Sequence, residues 1–178
     1  MTKTWLVSDT HFGHSNICKF TRKDGSWLRP WRDIKDHDSA LIENWNSVVK
    51  PEDKVYHLGD VGFRNATYTG GVLAALNGTK VLIKGNHDTL KLNIYKEYFK
   101  DVRAYHVLNK VLLAHIPVHP SCLSRWKGQV HGHLHANSLN DPLYYNVSME
   151  QINYTPIAWD DVNDYFNSLP ERVLGDEY

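Results

Sequence analysis

The chain has 178 residues, 42% hydrophobic and 22% charged, with 20 Lys+Arg balancing 20 Asp+Glu. That length suits a single domain over residues 1–178 with a sizeable core, and zero formal charge argues against a duplex-DNA binder relying on a broad basic field. Two cysteines without a CxxC indicate neither a thiolate zinc site nor a disulfide framework, and without a signal-peptide pattern or a run of ~18 apolar residues the expectation is a soluble, cytoplasmic protein.

Residues 4–8 read as a buried strand with Asp9-Thr10-His11 at its end. Residues 14–37 are irregular. They mix Lys19, Arg22, Lys23, Arg29 and Arg32 with Phe20, Trp27 and Trp31, and exceed the ~15 residues beyond which loops are usually functional or disordered. A helix is predicted over 38–49, capped by Asp38 or Ser39 and ended by Pro51. Residues 54–58 form a second predicted strand, followed by Gly59-Asp60. A helix over 72–76, stopped by Asn77-Gly78, precedes a third strand over 80–84 and Gly85-Asn86-His87-Asp88. A short helix fills 90–99. Strands over 102–108 and 111–116 flank Asn109-Lys110 as a hairpin, and short strands follow at 129–132 and 143–147. An amphipathic helix over 159–169 presents Trp159, Val162, Tyr165, Phe166 and Leu169 on one face. Strand–helix alternation followed by a strand-rich half suggests mixed sheets covered by helices.

The chemistry-bearing residues gather at strand ends: Asp9, His11, Asp60, Asn86, His87, His115, His133 and His135. Loops at strand ends are where α/β folds assemble their sites. Any one of these short motifs alone reads as a turn or a hydrogen-bonded pair. Together they offer carboxylate, amide and imidazole but no thiolate, a donor set for borderline divalent metals. Eight candidates exceed one tetrahedral site and suit two adjacent metals. On a strand, His131 would share a face with His133, supporting the site rather than ligating. His57 reads as an ordinary strand histidine.

In order and spacing, Asp9-Thr10-His11, Gly59-Asp60-Val61-Gly62, Gly85-Asn86-His87-Asp88, His115 and Gly132-His133-Leu134-His135 resemble the five blocks of the calcineurin-like metallophosphoesterase superfamily, closest to its small single-domain bacterial and phage members. The resemblance implies a four-layer α/β/β/α sandwich of two mixed β-sheets flanked by helices. It implies two divalent metals, Mn first, with Fe, Ni, Co, Zn or Mg as alternatives. Asp9, His11 and His135 would hold one and Asn86, His115 and His133 the other, with Asp60 bridging. His87 would protonate the leaving oxygen, and Asp88 would orient His87. Hydroxide bridging the metals would attack phosphorus in line. His14, Arg29, Arg32 and Arg64 are the candidate substrate contacts. A phosphodiester of nucleotide size is the leading substrate, a nucleic-acid end a further candidate, and phosphomonoesters (nucleotide or protein phosphatase) the alternative. A non-catalytic metal-binding scaffold is the contrasting reading. No membrane association and no obligate protein partner are expected.

Overall fold

The computed structural model describes residues 1–171, so the last seven residues of the expected domain lie outside the described residues. Among the described residues, nine strands form two sheets. The first sheet joins β1 (Thr4–Val7), β2 (Lys54–His57), β3 (Thr79–Ile83) and β4 (Asp101–Arg103) in parallel, with β9 (Ile157–Ala158) antiparallel to β1. The second pairs β5 (His106–Leu108) antiparallel with β6 (Val111–Leu113), followed in parallel by β7 (Gly128–His131) and β8 (Tyr144–Asn146).

The central strands of the first sheet, β1, β2 and β3, are covered on both faces, so each carries a run of consecutive buried residues, mostly apolar. Trp5 and Val7 face outward into a core with Leu41 and Trp45 of α1 (Ile34–Val48), Leu73 of α2 (Ala66–Ala75) and Tyr95 of α3 (Leu92–Tyr98). Between them Leu6 points inward, where it meets Val111, Leu113 and Val130 of the second sheet. α4 (Trp159–Ser168) adds Trp159, Val162 and Phe166 to this inter-sheet core. The outer face of the second sheet, Leu112 and Tyr144, is covered by Leu123 of a one-turn 3-10 helix (Pro120–Leu123) and by Trp126. Two mixed sheets flanked by helices are thus present, with helices α1–α3 gathered on one side.

Several elements differ from the sequence reading, among them the unexpected β9 and the strand expected over 111–116, which ends at Leu113. α1 starts at Ile34, because the Asp33 carboxylate accepts from the amides of Lys35 (2.8 Å) and Asp36 (3.1 Å). α2 starts at Ala66 for the same reason, with Asn65 accepting from Tyr68 N at 3.0 Å. The single strand expected over 102–108 is two strands, β4 in the first sheet and β5 in the second. The hairpin is as expected: Asn109 and Lys110 have φ of 48° and 63°, the left-handed pair required by a tight turn joining Leu108 to Val111.

Candidate metal centre

The loops following β1, β2, β3, β6 and β7 converge, bringing two ligand sets together. The donor atoms of Asp9, His11 and His135 lie within 4.8 Å of one another, as do those of Asp60, His115 and His133. Asp60 Oδ2 joins the sets, 3.8 Å from His11 Nε2 and 3.3 Å from His115 Nε2. Asn86 Oδ1 belongs to the second, 3.0 Å from His115 Nε2 and 2.9 Å from His133 Nδ1.

Each carboxylate has one oxygen tied down and the other directed into the site. Asp9 Oδ2 accepts from His133 N (2.9 Å) and Ser148 Oγ (3.0 Å), whereas buried Oδ1 has no hydrogen-bond partner and lies 3.7 Å from His11 Nε2 and 3.8 Å from His135 Nε2. Asp60 Oδ1 accepts from His87 N at 2.8 Å, leaving Oδ2 between the two sets. His115 Nδ1 is 2.7 Å from the Leu58 carbonyl, which can only accept, so the proton sits on Nδ1 and the Nε2 lone pair faces inward. Both ring nitrogens of His11 are buried and unpartnered. Unsatisfied buried polar atoms carry a desolvation cost of about 1–3 kcal/mol each. Asp9 Oδ1 and the His11 ring converge with Asp60 Oδ2, Asn86 Oδ1 and the other imidazole nitrogens, and this mixed donor set fits a pair of divalent cations.

Backbone strain is concentrated in the same residues. Asp9, His11, Asp60, His133 and His135 have φ of 58°, 51°, 56°, 68° and 50°. Left-handed non-glycine residues cost of order 1–3 kcal/mol each and persist where surrounding structure imposes them. The conformation turns the chain sharply after β1, β2 and β7, aiming their side chains into one cavity. Gly132 is demanded by this crowding, since a Cβ there would lie 2.0 Å from Ser8 Oγ and 2.3 Å from Asp9 Oδ2.

The protonation preferences follow from burial and neighbours. Burial alone would raise Asp9, but His11 and the other imidazoles hold it far below the usual carboxylate range. Burial opposes charge on His115 and His135, yet Asp60 and Asp9 raise the first and Glu150 the second. Burial, reinforced by His11 and His87, pushes His14 down to about 4.

Among the expected substrate contacts, His14 lies at the site's edge, stacked on Phe63 with ring centroids 4.1 Å apart and 5.8 Å from the His11 ring. Arg64 is exposed, its guanidinium 4.9 Å from the Tyr68 ring and its side chain against Gly13. Arg32 is exposed one residue before the α1 cap and enters none of the hydrogen bonds around the cluster. Arg29 requires correction: it is fully buried behind the site, donating to protein acceptors on all three of its nitrogens, and cannot reach a substrate. Asp88 also differs from expectation. Its carboxylate accepts from the amides of Gly85 (2.8 Å), Asp60 (2.9 Å) and Val61 (2.9 Å), so it fastens two ligand loops together rather than orienting the His87 ring. His87 itself is exposed, with its ring 4.6 Å from Phe63. His131 is buried, its Nδ1 2.7 Å from the Gly132 carbonyl, and is outside both ligand sets.

Sequence reasoning missed Glu150, whose side chain is buried and whose Oε1 lies 3.2 Å from His135 Nδ1. Burial would raise this carboxyl, but Arg29 and His135 bring it down to about 2. A signal was present: Tyr145-Asn146-Val147-Ser148-Met149-Glu150 repeats the pattern of a strand followed by an acid.

His57, at the end of β2, is fully buried and lies below the loops. Thr10 gives its one hydroxyl proton to the Val61 carbonyl (2.8 Å), so its oxygen accepts from His57 Nε2 at 2.9 Å, and Nδ1 accepts from Gly59 N at 3.2 Å. Both ring nitrogens are committed in the neutral form, and burial lowers the pKa from 6.5 to about 4. Below pH 6.5 the unfolded chain takes up a proton that the folded chain refuses. The stability contributed by this residue is therefore intact above that pH and lost as pH falls toward 4, by roughly 3 kcal/mol in all. Denaturation of chelator-treated protein across this window should show a shallower pH dependence for His57→Gln than for wild type; equal slopes would exclude His57 as the cause.

The calcineurin-like phosphoesterase family matches residues 2–177. An uncharacterized protein of Methanocaldococcus jannaschii is 37% identical over 171 residues, covering 90% of this chain and 89% of that protein. The gene 66 protein of Mycobacterium phage L5 is 35% identical over 94 residues, 49% of this chain and 41% of its own length. A crystal structure of a protein of unknown function from Aquifex aeolicus aligns with a TM-score of 0.73 at 27% identity, covering 92% of this chain and 99% of that one. With the family matching nearly the whole chain and two ligand sets assembled from its strand ends, the protein belongs to the calcineurin-like phosphoesterases and is a dinuclear metal-dependent phosphoester hydrolase.

Proposed function

We propose that the chain is a phosphodiesterase acting on a nucleotide or a similarly small phosphodiester, with manganese as its working metal. The observation that carries this reading is an open cleft of about 540 Å³ running from His133 and His135 between Ala136-Asn137 and the loop bearing Thr21, Arg22, Lys23 and Leu28. A monoester presents only its phosphate and one organic group. A diester has a second arm, and this cleft gives that arm room beside the ligand sets, with Arg22 and Lys23 available to a further anionic group. Exposed Phe20 and Phe63 add aromatic surface near His14.

Two divalent ions, when bound, polarise phosphoryl oxygens and lower the pKa of water toward ~7. Asp9 and Asp60 offset part of the cations' charge while Asn86 donates without adding any, so the site stays attractive to an anionic ester. His87 stands on the exposed side, outside both ligand sets, suited to deliver a proton to the departing oxygen. In-line displacement then brings the nucleophile from the opposite face. Hydrolysis proceeds without an obligate protein partner, and the location is the cytoplasm; no helix among the described residues is long and apolar enough to cross a membrane.

A substrate panel on the Mn-loaded protein tests the reading, comparing aryl diesters, cyclic nucleotides, dinucleotides and short oligonucleotides with mononucleotides, phosphopeptides and aryl monoesters. Diesters should exceed matched monoesters by roughly tenfold in kcat/KM, the equivalent of one charged contact to the second arm. A monoester preference of similar size would replace the phosphodiesterase reading with a phosphomonoesterase one. Hydrolysis of none of them with both metals bound would favour a scaffold.

A further inference from the structure

Arg29 comes from the long segment between β1 and α1, yet no part of it is exposed. Its Nη1 donates to the Thr10 carbonyl (2.8 Å) and to His37 Nε2 (2.7 Å), its Nη2 to the Asp9 carbonyl, and its Nε to Glu150 Oε1 at 2.8 Å. Because His37 Nε2 accepts, the ring proton lies on Nδ1, which donates to Asp38 Oδ1 at 2.6 Å. Asp38 Oδ2 in turn accepts from Gly13 N (2.9 Å) and Tyr68 Oη (2.5 Å). The guanidinium is thus anchored to α1 on one side and grips the carbonyls of a left-handed turn on the other. Through Glu150 it also reaches His135 Nδ1, 3.2 Å from the same carboxylate oxygen, leaving His135 Nε2 facing Asp9 Oδ1.

The ligand-side contacts in this chain of bonds fall on Asp9, on Thr10 between Asp9 and His11, and on His135. The two sets meet where Asp9 Oδ2 accepts from His133 N (2.9 Å) and His11 N donates to the Asp60 carbonyl (3.0 Å). The other set is braced differently: His115 by the Leu58 carbonyl, and Asp60 and the Asn86 loop by Asp88. We propose that the buried Arg29–Glu150 ion pair is a positioning unit chiefly for the first ligand set, so that its loss loosens the first metal more than the second. The inference rests on the two-metal reading of the site. It also explains why a charge pair is kept where burial makes ion pairs costly. A guanidinium supplies several fixed donors at once, which lysine cannot.

The test is Mn²⁺ uptake by the full chain, measured by elemental analysis, calorimetric titration and electron paramagnetic resonance, for wild type, Arg29→Lys, Glu150→Gln and the double variant Arg29→Met/Glu150→Met. The double variant leaves no unpaired buried charge, and circular dichroism in chelator verifies that each protein is folded. Wild type should take up two Mn²⁺ per chain with the signal of a spin-coupled pair. Each folded variant should keep one tight ion and bind the other roughly 10–100-fold more weakly, the usual cost of losing a group that orients a ligand, with the coupled signal giving way to that of isolated Mn²⁺. Unchanged affinities, or parallel weakening of both ions, would overturn the inference while leaving the dinuclear centre standing. Fewer than two ions on wild type would remove the two-metal reading, and this inference with it.

Discussion

Asp60→Asn should cost the protein both metals and lower turnover by roughly a thousandfold, since losing about 4 kcal/mol of the stabilisation that a clamped metal pair supplies costs three decades of rate. Among the described residues, Asp60 is the side chain whose oxygen stands between the ligand sets, 3.8 Å from His11 Nε2 and 3.3 Å from His115 Nε2. Its other oxygen accepts the amide of His87. Asparagine is nearly the same size and can preserve that amide bond through its carbonyl, so the fold should survive. What it removes is the anionic oxygen shared by both sets. Elemental analysis alongside hydrolysis rates decides the matter: two retained metals with near-normal rates would show that Asp60 does not bridge.

His87→Ala should leave two metals bound yet slow the hydrolysis of alkyl esters by roughly a hundredfold or more, the range over which a positioned acid acts. The effect should shrink toward nothing for esters with nitrophenolate leaving groups, which depart without a proton. The expectation follows from placement. The His87 side chain is exposed and outside both ligand sets, while its backbone amide is fixed by Asp60 and its ring lies beside Phe63. Loss of metal in this variant would make His87 a ligand. An equal slowing of good and poor leaving groups would remove its role as the acid.

The residues of the candidate site were legible in the sequence because each sits just beyond an apolar strand, while their individual roles came from the order of five blocks resembling a known family. Asp9, Asp60, Asn86, His115, His133 and His135 converge as their spacing suggested. What the pattern could not reveal depends on contacts between distant segments. Arg29 and Glu150 are separated by 121 residues, and nothing local distinguishes a buried arginine from one that grips a substrate. The same holds for Asp88. Beside a histidine it reads as that histidine's partner, yet its oxygens are taken up by the amides of Asp60 and Val61, 28 and 27 residues away, and of nearby Gly85. The division of residues 101–108 between two sheets escaped notice because the strand partners, not the strand's own composition, decide where it breaks. The early starts of α1 and α2 were within reach, since Asp33 and Asn65 are ordinary capping residues.

One buried carboxylate sorts the molecule into parts that vary at different cost. Asp88 rivets the Asp60 and Asn86 loops into a single floor, and a change there disturbs every element that meets it. The loop carrying Thr21, Arg22 and Lys23 forms the opposite wall of the cleft, and those three side chains are exposed. The hydrogen bonds that Asp88 makes involve none of these wall residues, so substitutions there should leave the Asp60 and Asn86 loops in place. With the substrate placed in this cleft as proposed, rewriting the wall should trade one substrate for another while the hydrolytic chemistry is inherited unchanged.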